Sequence, residues 1–181
     1  DFCQEHGIHL LCYGTIAGGF LSDRWLGQPD PTPPFANRSL IKYRLIIEEF
    51  GGWDAFQALL AAADAIARKH GSTIAAVAAR YVLDRPQVAA ALADSAPRAE
   101  SAALVGARDA RHLDETMAIF RLKLDADDTA RLDAIVRAAP GPRGDCYDLE
   151  RDKDSIHARI MHMNQNTGGA PAHIDMAPDI S

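Results

Sequence analysis

An apolar run early in the chain ends in a tyrosine, and a segment of small residues follows it. Residues 10–13 read LLCY, and residues 14–19 read GTIAGG. The apolar run predicts a strand that ends at Tyr13. In α/β folds, ligands bind at the carboxyl ends of strands, and glycine lets the backbone approach a flat or phosphorylated molecule closely. Tyr13 could stack its ring on a ligand of this kind. The alternative is a core tyrosine, buried in front of a flexible turn.

A second stretch combines the features of an anion site. Residues 103–116 read ALVGARDARHLDET, in which an apolar strand ends at Val105 and a helix begins near Asp109. The first turn of a helix presents free N–H groups and a positive dipole end. Arg108 adds a forked cation that suits phosphate. A surface arginine beside a turn remains the alternative.

Metal and nucleophile motifs are absent from the sequence. The histidines at positions 70, 112, 157, 162 and 173 are scattered without HExxH or comparable spacing, so no residue is assigned to a metal. His6 and His9 flank the turn into the first strand and are expected to be structural or exposed.

Composition narrows the class of protein. The 181 residues are 48% hydrophobic and 24% charged, with a net charge of −6, which predicts a globular chain with a real core. The acidic balance argues against nucleic acid or an anionic membrane as a partner. No apolar run reaches the roughly 20 residues of a membrane span, and no signal-type leader is present. Three cysteines without CxxC spacing indicate reduced thiols and a cytoplasmic location.

Strands that alternate with helices predict an α/β fold with parallel strands. A helix end at residues 1–6 suggests that further sequence precedes Asp1. Two strands alone do not form a stable parallel sheet, so the pattern indicates the C-terminal part of a larger fold. The predicted strands are residues 8–13, an apolar run suited to a buried strand, and 102–105. The predicted helices are 40–50, 53–69, 73–83, one from Asp109, 125–137 and 147–163; residues 27–39 are expected to be an irregular loop.

Side-chain spacing gives the expected buried faces and ends of these helices. Apolar residues repeat at helical spacing in the helix 53–69, at Phe56, Leu59, Leu60, Ala63, Ile66 and Ala67. Gly71 is its expected stop and Ser72 the expected N-cap of the next helix. Leu113, Met117 and Phe120 are the expected inward stripe of the helix from Asp109.

The segments HGIHLLCYGTIAGGFLSDRWLG and ALVGARDARHLDETMAIFRLKLD resemble the second half of an aldo-keto reductase. The first lies in the place of that family's YSPLxxGxL motif and the second in that of GARxxxQLxEN. IAAVAARYVLDRPQV, between them, resembles ALAWVLxxPxV. The resemblance implies a partial (β/α)8 TIM barrel over residues 1–163, followed by a loose tail at 164–181. It also implies hydride transfer between NADP or NAD and an aldehyde, ketone or alcohol.

Site residues follow from the resemblance position by position. Tyr13 would stack on the nicotinamide, and Gly14, Thr15 and Ile16 would line the pyrophosphate. Gly106, Ala107 and Arg108 would hold phosphates. Glu115 matches the glutamate near the adenosine, while His112 and Thr116 replace the usual Gln or Arg and the usual Asn. Those two departures leave the choice between NAD and NADP open.

The resemblance also implies absences. The family's catalytic Asp, Tyr, Lys and His belong to the first half of the barrel, so no catalytic residue is assigned, and negligible turnover is expected from this chain alone. Residues 92–102 are an expected insert. The alternative function is a non-catalytic half-barrel that binds a partner, or itself, through open sheet edges; a helical domain with no cofactor is the third hypothesis.

Overall fold

The computed structural model describes residues 2–35, 38–92, 113–144, 152 and 156–160, with side chains except at residues 38, 89–92, 113–116 and 159–160. These residues form an α/β arrangement with two strands and seven α-helices. In chain order they are α1 Phe2–Glu5, β1 Leu10–Tyr13, α2 Arg38–Phe50, α3 Gly52–His70, α4 Ile74–Leu83, β2 Val88–Leu92, α5 Leu113–Arg121, α6 Ala126–Ala138 and α7 Ile156–Ile160.

The two strands are parallel neighbours. Leu10 lies opposite Val88 and Tyr13 opposite Leu92, with an irregular register between Leu10 and Leu11. The partner of β1 is therefore β2, whereas the predicted second strand at 102–105 lies outside the described residues. Leu92 ends β2, and the rest of the expected insert also lies outside the described part of the chain.

The prediction of a buried first strand is wrong. Leu10 and Leu11 are 40% and 67% exposed. The apolar run was correctly read as a strand, but among the described residues only β2 pairs with it. Burial of a parallel strand needs cover on both faces.

The core is a layer of helices built mainly on α3 and α4. Five of the six residues of the predicted apolar stripe of α3 are buried, namely Phe56, Leu60, Ala63, Ile66 and Ala67. The sixth, Leu59, is only partly buried. Of the six largest side chains that are almost completely buried, five belong to these two helices: Leu60, Ile66, Ile74, Val77 and Leu83, with Phe20 as the sixth.

Capping residues mark the end of α3 and the start of α4. Gly71 stops α3 in the left-handed conformation, at φ 59°, as predicted. The N-cap of α4 is Thr73, not the predicted Ser72: the Thr73 hydroxyl accepts from the Ala76 N–H at 3.2 Å. Both residue types cap well, and Thr73 has the extended backbone typical of an N-cap.

The predicted inward stripe of α5 needs a correction as well. Of the predicted Leu113, Met117 and Phe120, Met117 is 46% exposed, Phe120 packs partly buried against the core, and the side chain of Leu113 lies outside the description. Ile119 and, just after the helix, Leu122 are buried. The stripe is therefore rotated from the predicted one. None of the helices in the described ranges is long and apolar enough to cross a membrane.

Candidate functional site

Tyr13 is the last residue of β1 and lies at the carboxyl end of the two-stranded sheet. Its side chain is 52% exposed, so the alternative of a buried core tyrosine is wrong. The carboxyl ends of parallel strands are where α/β folds hold their ligands. Tyr13 thus presents an exposed aromatic ring at this end of the sheet.

The loop after Tyr13 has a defined shape, which its own backbone holds. Gly14 and Gly18 have φ angles of 71° and 63°, in the left-handed region that glycine occupies at low cost. The Ala17 N–H donates to the Gly14 carbonyl at 2.8 Å, and the Ile16 carbonyl accepts from Gly19 and Leu21. The small residues therefore form turns that close on themselves.

Tyr43 of α2 packs against both glycines of this loop. A Cβ built on Gly14 would lie 2.1 Å from the Tyr43 Oη, and one on Gly18 would lie 2.7 Å from Cδ2 of the same ring. Both distances are far below van der Waals contact, so the two glycines are required by a neighbour inside the chain. Sequence reasoning missed this residue, because nothing local in α2 links Tyr43 to the loop.

Thr15 is a buried polar residue in this loop. It is 7% exposed, and its Oγ1 has no hydrogen-bond partner among the described residues. A buried hydroxyl without a partner is unfavourable by about 1–3 kcal/mol, and such groups are normally satisfied. The Thr15 hydroxyl is therefore a donor that the described residues leave unused, and its chemistry fits a polar group of a ligand.

The far end of the loop is anchored in an aromatic cluster. Phe20 is fully buried, with ring centroids 5.0 Å from Trp25, 6.0 Å from Trp53 and 6.4 Å from Phe56. The Ser22 hydroxyl donates to the Gly19 carbonyl at 2.7 Å. The loop is thus fixed at both ends, by β1 on one side and by the helical core on the other.

The second predicted segment is covered only in part. Gly106, Ala107, Arg108 and His112 lie outside the described residues, while Glu115 and Thr116 lie in α5 with their side chains outside the description. Their roles toward phosphate and adenine stay predictions.

Tyr81 has an environment opposite to that of a proton donor. Burial and a hydrogen bond from its hydroxyl to Asp133 Oδ1, at 2.6 Å, raise its pKa to about 12. The Arg85 guanidinium lies 3.9 Å from the ring centroid and also binds Asp133. A tyrosine that acts as an acid needs its pKa lowered. Tyr81 therefore serves as a link between α4 and α6.

A charged cluster joins the end of α3 to the start of α6. His70 Nε2 lies 2.7 Å from Asp128 Oδ2, and Lys69 Nζ lies 2.5 Å from Asp125 and 2.8 Å from Asp128. Ligand atoms of His70, Asp125 and Asp128 fall within 4.8 Å of one another, a grouping that sequence spacing missed. The Lys69 ammonium bonds to both carboxylates, so the cluster is an ion-pair network.

The described residues form an α/β arrangement in which Tyr13 and the loop after it lie at the carboxyl end of two parallel strands. The chain belongs to the aldo/keto reductase family, whose sequence model matches residues 1–137. The resemblance drawn from the two sequence segments is therefore confirmed, and family membership indicates an oxidoreductase.

Two relatives match parts of the chain. "Pyridoxal reductase, chloroplastic" of Arabidopsis thaliana is 25% identical over 140 residues, which are 77% of this chain and 32% of the relative. "Flagellar radial spoke protein 5" of Chlamydomonas reinhardtii is 37% identical over 87 residues, which are 46% of this chain and 16% of the relative. The chain thus spans less than a third of either protein.

Proposed function

We propose that this chain forms the cofactor-binding part of an NAD(P)-dependent reductase, folded as part of a (β/α)8 barrel. The intact protein would transfer hydride between a nicotinamide and an aldehyde, ketone or alcohol. Family membership over residues 1–137 supports the class of reaction. The single observation that carries the site is the buried, unpartnered Thr15 hydroxyl in the loop after β1.

Each residue of the loop has a distinct proposed role. The exposed ring of Tyr13 fixes the plane of the nicotinamide by stacking. The Thr15 Oγ1 donates to a pyrophosphate oxygen, and the backbone of Gly14 and Ile16 borders the same group. The cofactor, when bound, supplies or accepts the hydride; these side chains only bind and orient it.

The proposed roles of the remaining residues follow from the family resemblance. Gly106, Ala107 and Arg108 hold phosphate, and His112, Glu115 and Thr116 face the adenosine end. Proton transfer to the carbonyl oxygen is assigned to no residue of this chain. The Arabidopsis relative is named for pyridoxal, which is an aldehyde, in keeping with a small carbonyl substrate for the intact protein. A cytoplasmic location stays a prediction.

Thr15→Val tests the site because it is expected to stabilise the cofactor-free chain and, at the same time, to weaken cofactor binding. Valine has the shape of threonine without the hydroxyl, so the variant is expected to raise the free energy of unfolding of the cofactor-free chain by about 1 kcal/mol. The same change is expected to weaken NADPH binding about tenfold, since a hydrogen bond to a charged oxygen is lost. Tryptophan emission, quenched by the added nucleotide, measures binding; urea unfolding measures stability.

Thr129→Val, on the half-buried side of α6, is the matched control and should change neither quantity. A wild-type chain that binds neither NADPH nor NADH at millimolar concentration would overturn the proposal. Equal affinity of the wild type and Thr15→Val would overturn the role given to the hydroxyl.

A second function, as a partner-binding module, is favoured by the surface around β1. Five of the seven large apolar side chains that are exposed in the described chain lie within its first 13 residues: Phe2, Ile8, Leu10, Leu11 and Tyr13. Among the described residues only β2 pairs with β1, and we propose strand addition at the other edge of β1. A relative named as a radial spoke protein agrees with an assembly role.

Self-association through this edge predicts a concentration-dependent dimer in sedimentation velocity. Leu11→Lys, at a residue 67% exposed, should abolish the dimer because a charge opposes apolar strand pairing. Val136→Lys, on an exposed position of α6, should leave it intact. A wild-type monomer up to 100 µM, on the order of ordinary assembly affinities, would exclude this function.

A further inference from the structure

The ring of Tyr43 lies along the loop that follows β1. Its hydroxyl end faces Gly14, where an added Cβ would come within 2.1 Å of Oη, and its Cδ2–Cε2 edge faces Gly18. The two glycines are four residues apart in sequence. One side chain from α2 therefore supports both ends of the segment that contains Thr15.

The supported segment is shaped by its own backbone and packs on the core through Ala17 and Leu21. Its backbone hydrogen bonds connect residues 14–21 with one another. They fix turns within the loop but do not place the loop against the helices. The Tyr43 ring supplies that placement at the end next to Tyr13, while Phe20 supplies it at the other end.

The helix that carries Tyr43 is itself held from two sides. Arg44, the next residue, donates to Asp30 at 2.7 Å and to Glu48 at 2.9 Å. Nε2 of His157, in α7, lies 2.6 Å from Glu49 Oε1. Because α2 is tied both to the irregular loop before it and to α7, the ring forms a rigid support.

We propose that Tyr43 is a positioning residue for the nicotinamide cofactor. Its ring sets the depth and direction of residues 14–18, and thereby places Thr15 Oγ1 and the neighbouring backbone for the pyrophosphate. Tyr43 acts through the loop and needs no contact with the cofactor. This inference rests on the proposed function and adds to it a residue outside both sequence motifs.

The volume of the ring, not its hydroxyl, is the feature under test. Tyr43→Phe keeps the ring and is expected to bind NADPH within about twofold of the wild type. Tyr43→Ala removes the support and is expected to weaken binding about tenfold or more, since small misplacements of a positioning group have effects of this order. Tyr43→Leu cannot reach Gly14 and provides the same test if the alanine variant does not fold.

Two controls separate positioning from general destabilisation. Leu132→Ala removes a buried side chain of α6, and at matched loss of stability it should keep full affinity. Thr15→Val added to Tyr43→Ala should weaken binding no further. In Tyr43→Ala the Thr15 hydroxyl is already displaced and no longer bonds to the cofactor, so its removal has no additional effect. Additive effects would overturn the inference.

The possible outcomes distinguish the inference from the function on which it rests. A wild-type chain without nucleotide binding overturns the proposed function. Nucleotide binding that survives in both Tyr43→Ala and Tyr43→Leu overturns the positioning role and leaves the proposed function standing. Equal losses in Tyr43→Phe and Tyr43→Ala would assign the effect to the hydroxyl and also overturn it.

Discussion

Phe20→Ala is expected to lower the free energy of unfolding by about 4 kcal/mol, because it removes a large side chain from a packed core. Phe20 is fully buried and meets Trp53 and Phe56 edge to face, at interplanar angles of 77° and 88°. Edge-to-face pairs are worth more than their buried area alone. The truncation also releases the end of the loop, since Gly19 precedes Phe20 directly.

Urea unfolding followed by circular dichroism measures this effect, with the midpoint and slope fitted separately. Phe2→Ala is the matched control: the same truncation at a side chain 65% exposed should cost less than about 0.5 kcal/mol. A loss below about 1.5 kcal/mol for Phe20→Ala would mean that the cluster relaxes into the space, and would contradict the view of Phe20 as the anchor of the loop.

Asp128→Asn is expected to lower the free energy of unfolding at neutral pH by about 2 kcal/mol. Asp128 is 4% exposed and completes a capping box, in which the Asp128 N–H donates to the Asp125 side chain at 2.9 Å and Asp128 Oδ2 accepts from the Asp125 N–H. Desolvation tends to raise its pKa, but hydrogen bonds from Lys69 and His70 outweigh this effect and lower the pKa to about 2.

The pH dependence follows from that lowered pKa. Because the folded state holds the carboxyl ionised more strongly than the unfolded chain, where its pKa is about 3.9, the contribution is complete above about pH 4. It is lost as the pH falls toward about 2. The lowered pKa values of Asp125 and of Asp133, the latter about 2, act in the same direction.

Acid unfolding of the wild type should therefore be steeper between pH 4 and 2 than that of Asp128→Asn, with the two stabilities converging near pH 2. Asp127→Asn, an exposed residue of the same helical turn, serves as the control and should follow the wild-type curve. A constant difference between Asp128→Asn and wild type across this range would show that the loss comes from packing and not from the charge.

Features that rest on local chemistry could be predicted from the sequence. The stripe of α3 and the left-handed stop at Gly71 follow from side-chain spacing and from the conformational freedom of glycine. The strand ending at Tyr13 was found as well, although its exposure was not. Exposure depends on what covers a strand, and an apolar run carries no information about its neighbours.

Contacts across the chain could not be predicted in the same way. Tyr43 meets Gly14 across 29 positions, and the partners His70 and Asp128 are 58 residues apart. Neither pair follows a period or a motif, so only the packing of the helices brings them together. The wrong prediction for Met117 has a related cause. The face of α5 that is buried is set by its packing against α4 and not by its own sequence.

The distribution of buried side chains predicts which elements of the fold unfold locally first. Most of the completely buried residues belong to α3 and α4, which are adjacent in sequence, whereas the strand pair joins segments nearly 80 residues apart and borders solvent. Contacts between segments that are adjacent in sequence form early in folding. Exposed pairings between distant segments unfold locally at a low free energy, whereas buried core helices unfold locally only at a high one. Amide protons of β1 should thus exchange with solvent through local opening, long before those of α3, and the end of the sheet that carries Tyr13 can loosen while the helical layer stays folded.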